Sequence, residues 1–590
     1  MSSELKLRRG STAAHTTFTG ADGEVTFDTD KNVIVSHDGA TVGGFPHIKA
    51  ADLAAPNGAA LVTYLPSGTG AIATDVQSKM RESVSVKDFG AVGDGVTDDT
   101  AAILAALNHA GLYGFKLNFN PGNYLVSSTL LVSTIATGLV IEFAPGAKVI
   151  ATAGMSTPVF DFRASETALT TKTIEVIRPN IDCSAGSYSG IGGQFCTAIN
   201  VQYFQSVLID TPNLYGGESA TNANADCGIT PVCCKSVVIR GGVIRGFPDA
   251  GIYVGGDNNT GTAGDGLVCT VSGVVIERCT VAVIAKRELF LLAVSGCTIN
   301  ECTAGVLSTE VSGTLQVRNM QVTGNWFTKF LANAVRFRGI TKGSVIDNNF
   351  LDWGFDPDGV SNPAGINAYA LSIQGAAGVV VQGNTFDMPT WTRTDQRAYL
   401  LENKTIDAVP YTQGKHVFTS NVYRNVPRVH VEAAGGNPSI FTNEYYENII
   451  TSTFSTPHTE SFFIFSRYGI AVPKIRYNGM EFDSRTTGIL AVPAGAALTE
   501  SSSVNTLTNS GASALTVFTL PPAVAGYEQE FCSIDIDGIR VTAAAGDNIR
   551  ISGESGTNAT NTQVGAYLHL KALDSSNWVA KSATGTWILS

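Results

Sequence analysis

The 590 residues carry 38 basic and 50 acidic side chains, a formal net charge of −12, and only 15% of them are charged. That balance argues against nucleic acid as a partner, because such binding rests on neutralising phosphates. No run of eighteen apolar residues offers a membrane span.

The length points to several domains. The 62 glycines, among frequent Val, Ile, Thr, Ser and Asn, point to β structure broken by many turns. The first stretch, MSSELKLRRGSTAAHTTF, is charged and lacks the apolar segment of a secretion signal. Residues 1–47 read as a small unit of short strands, EVTFDTD and NVIVSHDG, separated by Asp-Gly and Gly-Gly turns. Residues 48–82 join this unit to the next: a Pro/Gly/Ala-rich linker, then ATDVQSKMRES as a short neck helix with Thr74 as its N-cap.

In SVSVKDFGAVGDGVTDDTAAILAALNHAG (83–111), Val84, Val86 and Phe89 alternate as in a strand. Thr97 is placed to cap a helix whose first turn holds Asp98 and Asp99. Ile103, Leu104 and Leu107 give that helix an apolar face, and Gly111 is placed to end it. The aspartates thus have structural roles, and their spacing does not match a calcium loop.

After residue 170 a β unit recurs: VIRPNID, LIDTPNLY, VIRGGVIRG, VIERCTVAV, AVSGCTINE, QVTGNWFTK, SVIDNNFLD, VVQGNTFDM, FTSNVYRN and IFTNEYYEN. Its anchors are Pro179, Pro212, Gly242, Cys279, Cys297, Asn325, Asn348, Asn384, Asn421 and Asn443. Such repeats mean stacked supersecondary units, and all-β units of variable length mean a parallel β-helix. Small or amide anchors are suited to stack inside a turn, an Asn ladder satisfying backbone groups there.

A second strand follows the anchors in DAGIYV, TAGVLS, NAVRFR, YALSIQ and VPRVHV. With Ile252, Val306, Val335, Leu371 and Val429 inward, alternation turns Tyr253, Leu307, Arg336, Ser372 and His430 outward. Two positions further sit Gly255, Thr309, Arg338, Gln374 and Glu432. An outer column of Tyr, Arg and His suits a sugar groove, with stacking faces and forked donors.

Nine of the ten cysteines lie between Cys183 and Cys302 without the spacing of a metal or disulfide framework. They read as buried free thiols of a chain made in a reducing cytoplasm. The β-helix is expected to fade near residue 455. Residues 456–480 are aromatic-rich, 456–494 is expected to be a connection that packs chains together, and 495–590 read as an antiparallel β-sandwich.

Three stretches carry a resemblance. LKLRRGSTAAHTTFTGADGEVTFDTDKNVIVSHDGATVGGFP resembles the virion-attachment module of tailed-bacteriophage fibres and spikes. LVTYLPSGTGAIATDVQSKMRESVSVKDFGAVGDGVTDDTAAI resembles the neck and pectate-lyase-like opening of phage tailspikes, and DSSNWVAKSATGTW is similar to terminal modules of such fibres. The resemblance implies a homotrimeric tailspike on the virion tail, docked to the tail, baseplate or another tailspike through residues 1–47. It implies a right-handed parallel β-helix of the pectin lyase superfamily over 83–455, its mouth closed by a cap at 83–111. It further implies action on a bacterial capsular polysaccharide or lipopolysaccharide O-antigen at the host cell surface. No catalytic residue is transferred by it, and no metal or cofactor is expected.

The site is therefore argued locally. Two carboxyls flanking a glycosidic bond suffice for hydrolysis, and stacked coils place side chains at such separations. The segment from Lys286 to Asp358 is richest in suitable groups. Glu288, Glu310, Asp352 and Asp356 are the expected catalytic carboxyls, the last two in a loop with Trp353. Tyr253, Lys286, Arg336, Arg338, Trp353 and His430 are the expected substrate contacts. Asp249, Asp257 and Asp265 form a second acidic cluster, and DMPTWTRTDQRAYLLENK offers Trp391, Arg393 and Tyr399. Endoglycosidic hydrolysis is the leading reading. A lyase using Tyr253, Arg336, Arg338 and His430 is the rival, and a non-cleaving adhesin stands behind both.

Overall fold

The computed structural model of the chain describes residues 6–590 except 166–168, 187–195, 219–225, 256–266, 287–288, 310–316, 341, 355–367, 377, 389–396, 403, 407–408, 412–415, 425, 427–439, 443, 448–473, 478–479, 484–488, 492–505, 509–514, 524, 527 and 534–535. Near the N-terminus, strands Arg8–Gly10, Val25–Asp28, Val33–Ser36 and Phe45–Pro46 form one sheet in that order. The first pair is parallel and the others are antiparallel. Beneath the sheet the buried Thr26 hydroxyl joins His15 Nε2 at 2.9 Å and His37 Nε2 at 2.8 Å.

The neck helix spans Val76–Arg81, and its cap is Asp75 rather than Thr74. Asp75 stands directly before the first helical residue, so its carboxylate accepts from Ser78 N at 2.7 Å.

From residue 83 the chain winds through three long sheets of 13, 15 and 10 strands, here called the first, second and third faces. One coil is Ser236–Arg240, Val243–Arg245 and Ala250–Gly255, and the next is Val268–Ser272, Val275–Glu277 and Val281–Lys286. Each strand pairs in parallel with its successor one coil on, for example Ser236 with Val268 and Val243 with Val275. Inward residues build one core that runs from Val84 to Val426. Phe327, Phe350, Phe386 and Tyr423 stack through it coil upon coil, with centroids 5.0, 4.7 and 5.2 Å apart. The described cysteines carry free thiols, and all but Cys532 are buried.

The corner from first to second face repeats one left-handed residue per coil, among them Arg178, Thr211 and Asp347 with φ of 54°, 52° and 54°. Immediately after it stands the anchor column. Asn325, Asn348, Asn384 and Asn421 form the expected ladder: the last three amide oxygens accept from the asparagine one coil before, and that of Asn325 accepts from the Cys297 amide. Cys279 does not belong to this column. Val275 pairs with Thr298, so Val274 occupies the place before Cys297. Cys279 lies at the next corner beside Cys302. Both corners present a small residue before an apolar one, and the pattern alone does not tell them apart. Asn443 lies outside the described residues.

The cap differs in detail from expectation. Ser83–Ser85 is a strand, but Val86–Phe89 is a 3₁₀ turn closed by a Ser85/Asp88 capping box. Thr97 sits in the strand Asp94–Asp98, where Asp94 accepts from Val96 N, Thr97 N and Thr97 Oγ1. The helix is Thr100–Tyr113 and ends on left-handed Gly114. Gly111 lies inside that helix, where a Cβ would come within 2.8 Å of the Thr134 carbonyl. Ile103, Ala106, Leu107 and Ala110 are fully buried, so the helix closes the end of the core.

The second face continues past residue 455. Lys474–Tyr477 pairs in parallel with Glu444–Glu447, and Met480–Asp483 folds back antiparallel on it. The C-terminal region holds a seven-stranded and a four-stranded sheet around its own core, which includes Phe518, Phe531, Leu568 and Trp578. Its central pairs are antiparallel, as in Glu528–Cys532 with Tyr567–Ala572, while Thr516–Thr519 pairs in parallel with Ile539–Thr542.

Candidate functional site

Alternation on the third face turns every second residue outward. The register sets Tyr253, Ile284, Leu307, Arg336 and Ser372 in one outer row. Gly255, Lys286 and Thr309 form the next row, which Arg338 and Gln374 continue. These are the two rows read from sequence, with the coil of Ile284 and Lys286 inserted. Val429, His430 and Glu432 lie outside the described residues.

At the opposite end of the same strands stands a cluster that sequence reading missed in part. Asp226 and Asp249 each precede a third-face strand, Cys227–Val232 and Ala250–Gly255, and occupy equivalent places in adjacent coils. The Asp249 amide donates to the Asp226 carbonyl at 3.0 Å. One oxygen of each carboxyl and the Cys227 sulfur lie within 4.8 Å of one another. The thiol lies 3.5 Å from Asp226 Oδ2 and 3.6 Å from Asp249 Oδ2. Burial, with the Asp249 charge added, pushes the Asp226 carboxyl up to about 6, against the pull of the Cys227 contact and of Lys286. Burial and the two aspartates push the Cys227 thiol well above its ordinary range. The raised Asp226 carboxyl gives the cluster a group able to hold and release a proton toward neutral pH.

Lys286 reaches over this region, its ammonium 4.7 Å from the centre of the Tyr253 ring. Earlier coils carry a second polar group on the same face. Arg163 donates to the buried Asp161 at 2.6 Å, and Asn200 holds the other carboxylate oxygen at 2.8 Å.

Among the expected catalytic carboxyls, Glu288, Glu310 and Asp356 lie outside the described residues. In sequence, Glu288 follows Lys286 by two positions and Glu310 directly follows Thr309. Asp352 and Trp353 do not share a loop: they end the second-face strand Asn349–Trp353. Asp352 is buried and left-handed, at the corner where Arg278, Glu301 and Lys329 stack with the same handedness. Arg278 and Lys329 both pair with Glu301 there.

Trp353 corrects the expectation most plainly. It is fully buried, stacked on Phe330 and edge-on to Phe386, and has no ring face to offer a sugar. Tyr399 is likewise interior, its hydroxyl against that of Tyr423. Asp257, Asp265, Trp391 and Arg393 lie outside the described residues. One signal could have found Asp226: Asp-Cys-Gly-Ile at 226–229 and Asp-Ala-Gly-Ile at 249–252 are the same phrase in successive coils.

Residues 5–41 match the family described as major tropism determinant N-terminal domain. Residues 83–307 match rhamnogalacturonase A/epimerase, pectate lyase-like. The tail fiber receptor-binding protein of Bordetella phage BPP-1 is 48% identical over 77 residues, 12% of this chain and 20% of that one. The chain thus carries a tropism-determinant-type N-terminal module and a pectate-lyase-like β-helix. It spans only a fifth of that curated relative's length. Among solved structures, the chain is similar to tailspike protein 3 of bacteriophage CBA120, at 12% identity over 89% of this chain and 82% of that one, with a TM-score of 0.47. It is also similar to the A-module of mannuronan C-5 epimerase AlgE4 of Azotobacter vinelandii, at 14% identity over 62% of this chain and 95% of that one, with a TM-score of 0.38.

Proposed function

We propose that the protein is a virion tailspike that docks through residues 1–47, assembles as a homotrimer and depolymerises a bacterial capsular polysaccharide or O-antigen along the third face. The observation that carries the chemistry is the Asp226–Asp249 pair. Two carboxyls with oxygens within 4.8 Å approach the short separation, roughly 5 Å, of glycosidases that act through a nucleophile. Their environments differ, as acid and nucleophile require: Asp226 holds its proton up to about pH 6 and serves as the acid. Asp249 is the partner carboxylate, and Cys227 keeps the two apart and oriented. Tyr253, Lys286, Arg336 and Arg338 line the sugar path. Glu288 and Glu310 stay in the proposal as residues that follow third-face strands in sequence.

Asp226→Asn and Asp249→Asn should each lower depolymerisation at least 100-fold while the glycan is still retained. Full activity in either variant would remove the pair from the site. A second reading rests on Lys286 above Tyr253. A cation beside a phenol is what a lyase needs to neutralise a uronate and take its α-proton. Product analysis separates them, since elimination leaves an unsaturated sugar and hydrolysis leaves a new reducing end.

A further inference from the structure

Several lysines on the wall of the β-helix are closed by acids. Lys116 pairs with Glu142, Lys148 with Asp182 and Lys329 with Glu301. Lys286 is different. Among the described residues no carboxylate comes within ion-pair range of it, and its ammonium rests on the Tyr253 ring. It is half-buried at the end of its strand, with Gly255 and Thr309 as its row neighbours. An ammonium partly out of water, resting on an aromatic face with no described carboxylate in ion-pair range, is placed to take an anion.

We propose that Lys286 is a specificity residue that reads a carboxylate on the glycan, so that the substrate is an acidic polysaccharide. This rests on the reading of the third face as the glycan groove. Two observations support it. A second cation stands in the same row two coils on: Arg338, whose Nε donates to Gln374 at 2.8 Å. That is roughly 10 Å along the groove, twice the strand spacing. Finally, Lys286 draws the Asp226 carboxyl toward its ionised form. A sugar carboxylate on Lys286 diverts that charge and leaves Asp226 its proton when substrate is in place. A neutral glycan would leave Lys286 opposing the acid it needs.

The test uses the full chain and the surface polysaccharide of a strain that the particle infects, native and after reduction of its carboxyls to alcohols. Retention on immobilised glycan and release of reducing ends are both read. The wild-type protein should retain and cut the native form at least tenfold better than the reduced form. Lys286→Gln should remove that preference by lowering kcat/KM on the native glycan alone, and Lys286→Arg should restore most of it. An unchanged thermal midpoint shows that the variants fold. Equal handling of both forms by the wild type, or an equal loss on both in Lys286→Gln, overturns the proposal. Lys286-dependent retention without cutting upholds it and removes the hydrolase. Cutting that depends on Asp226 but ignores the carboxyls does the reverse, and neither retention nor cutting of either form removes both.

Discussion

At the scale of single residues, Asp226 has a consequence for stability as well as for chemistry. Its folded carboxyl is pushed up to about 6 from an ordinary 3.8. The folded state therefore binds this proton more tightly than the unfolded chain does. The favourable contribution is complete below the ordinary value and is lost as pH rises through about 6, at most roughly 3 kcal/mol. Asp226→Asn removes that loss. The variant should be more stable than the wild type near neutral pH, by about 2 kcal/mol, and the difference should shrink toward pH 4. Denaturant midpoints at the two pH values check this, and a variant less stable at neutral pH would show that the carboxyl is not strained there. Activity should move the opposite way, the pattern of a group kept for function. Little of this residue was legible beforehand. Asp249 stood out because it lies in a turn-rich stretch, but Asp226 stands in a different stretch of the sequence. Only the register that pairs Cys227 with Ala250 brings the two together. Trp353 failed for a related reason: an aromatic beside three aspartates looks like an exposed loop, whereas the strand turns it inward.

At the scale of the element, the asparagine ladder is the strongest local device in the β-helix. Asn348 Nδ2 donates to the carbonyls of Val322 and Ile346 and to Asn384 Oδ1, while its own oxygen accepts Asn325 N and Nδ2. All of this is buried. Truncation takes the acceptor from the Asn325 amide and a donor from the Val322 and Ile346 carbonyls, at about 1–3 kcal/mol for each buried group left unmade. Asn348→Ala should therefore destabilise the β-helix by about 3 kcal/mol or more, read as a lower denaturant midpoint. A loss below about 1 kcal/mol would mean that water replaces the amide. The ladder was legible because an amide side chain carries two donors beside its acceptor oxygen, enough to serve a turn and the next amide at once. The outward rows were legible because one face of each strand is buried, which forbids a slip by one residue. Corners were less so: Cys279 and Val274 exchanged places in the reading because their neighbours are alike. Helix ends failed similarly, since Gly111 is small for close packing against Thr134 rather than to end a helix.

At the scale of the whole molecule, the segment before the β-helix is the least self-sufficient. Ile48, Leu53, Leu61, Leu65, Ile72 and Met80 are all at least half exposed on the single chain. Apolar surface of this extent calls for cover, and in the proposed homotrimer the matching segments of the other two copies supply it. The β-helix, by contrast, closes itself. Its first rung, Ser83–Ser85, pairs with Lys116–Phe119, and the helix Thr100–Tyr113 seals the end of a core that begins at Val84. Across the junction, the Lys116 amide donates to the Glu82 carbonyl. Removing residues 1–81 spares that bond and should leave the β-helix melting transition and glycan depolymerisation unchanged while abolishing attachment to the particle. The same truncation should make the protein more soluble at high concentration, because it takes the exposed apolar strip with it. Loss of depolymerisation in a truncated chain that still melts normally would mean that the neck holds the copies in the arrangement the groove requires, and would move the site from one chain to the interface between chains.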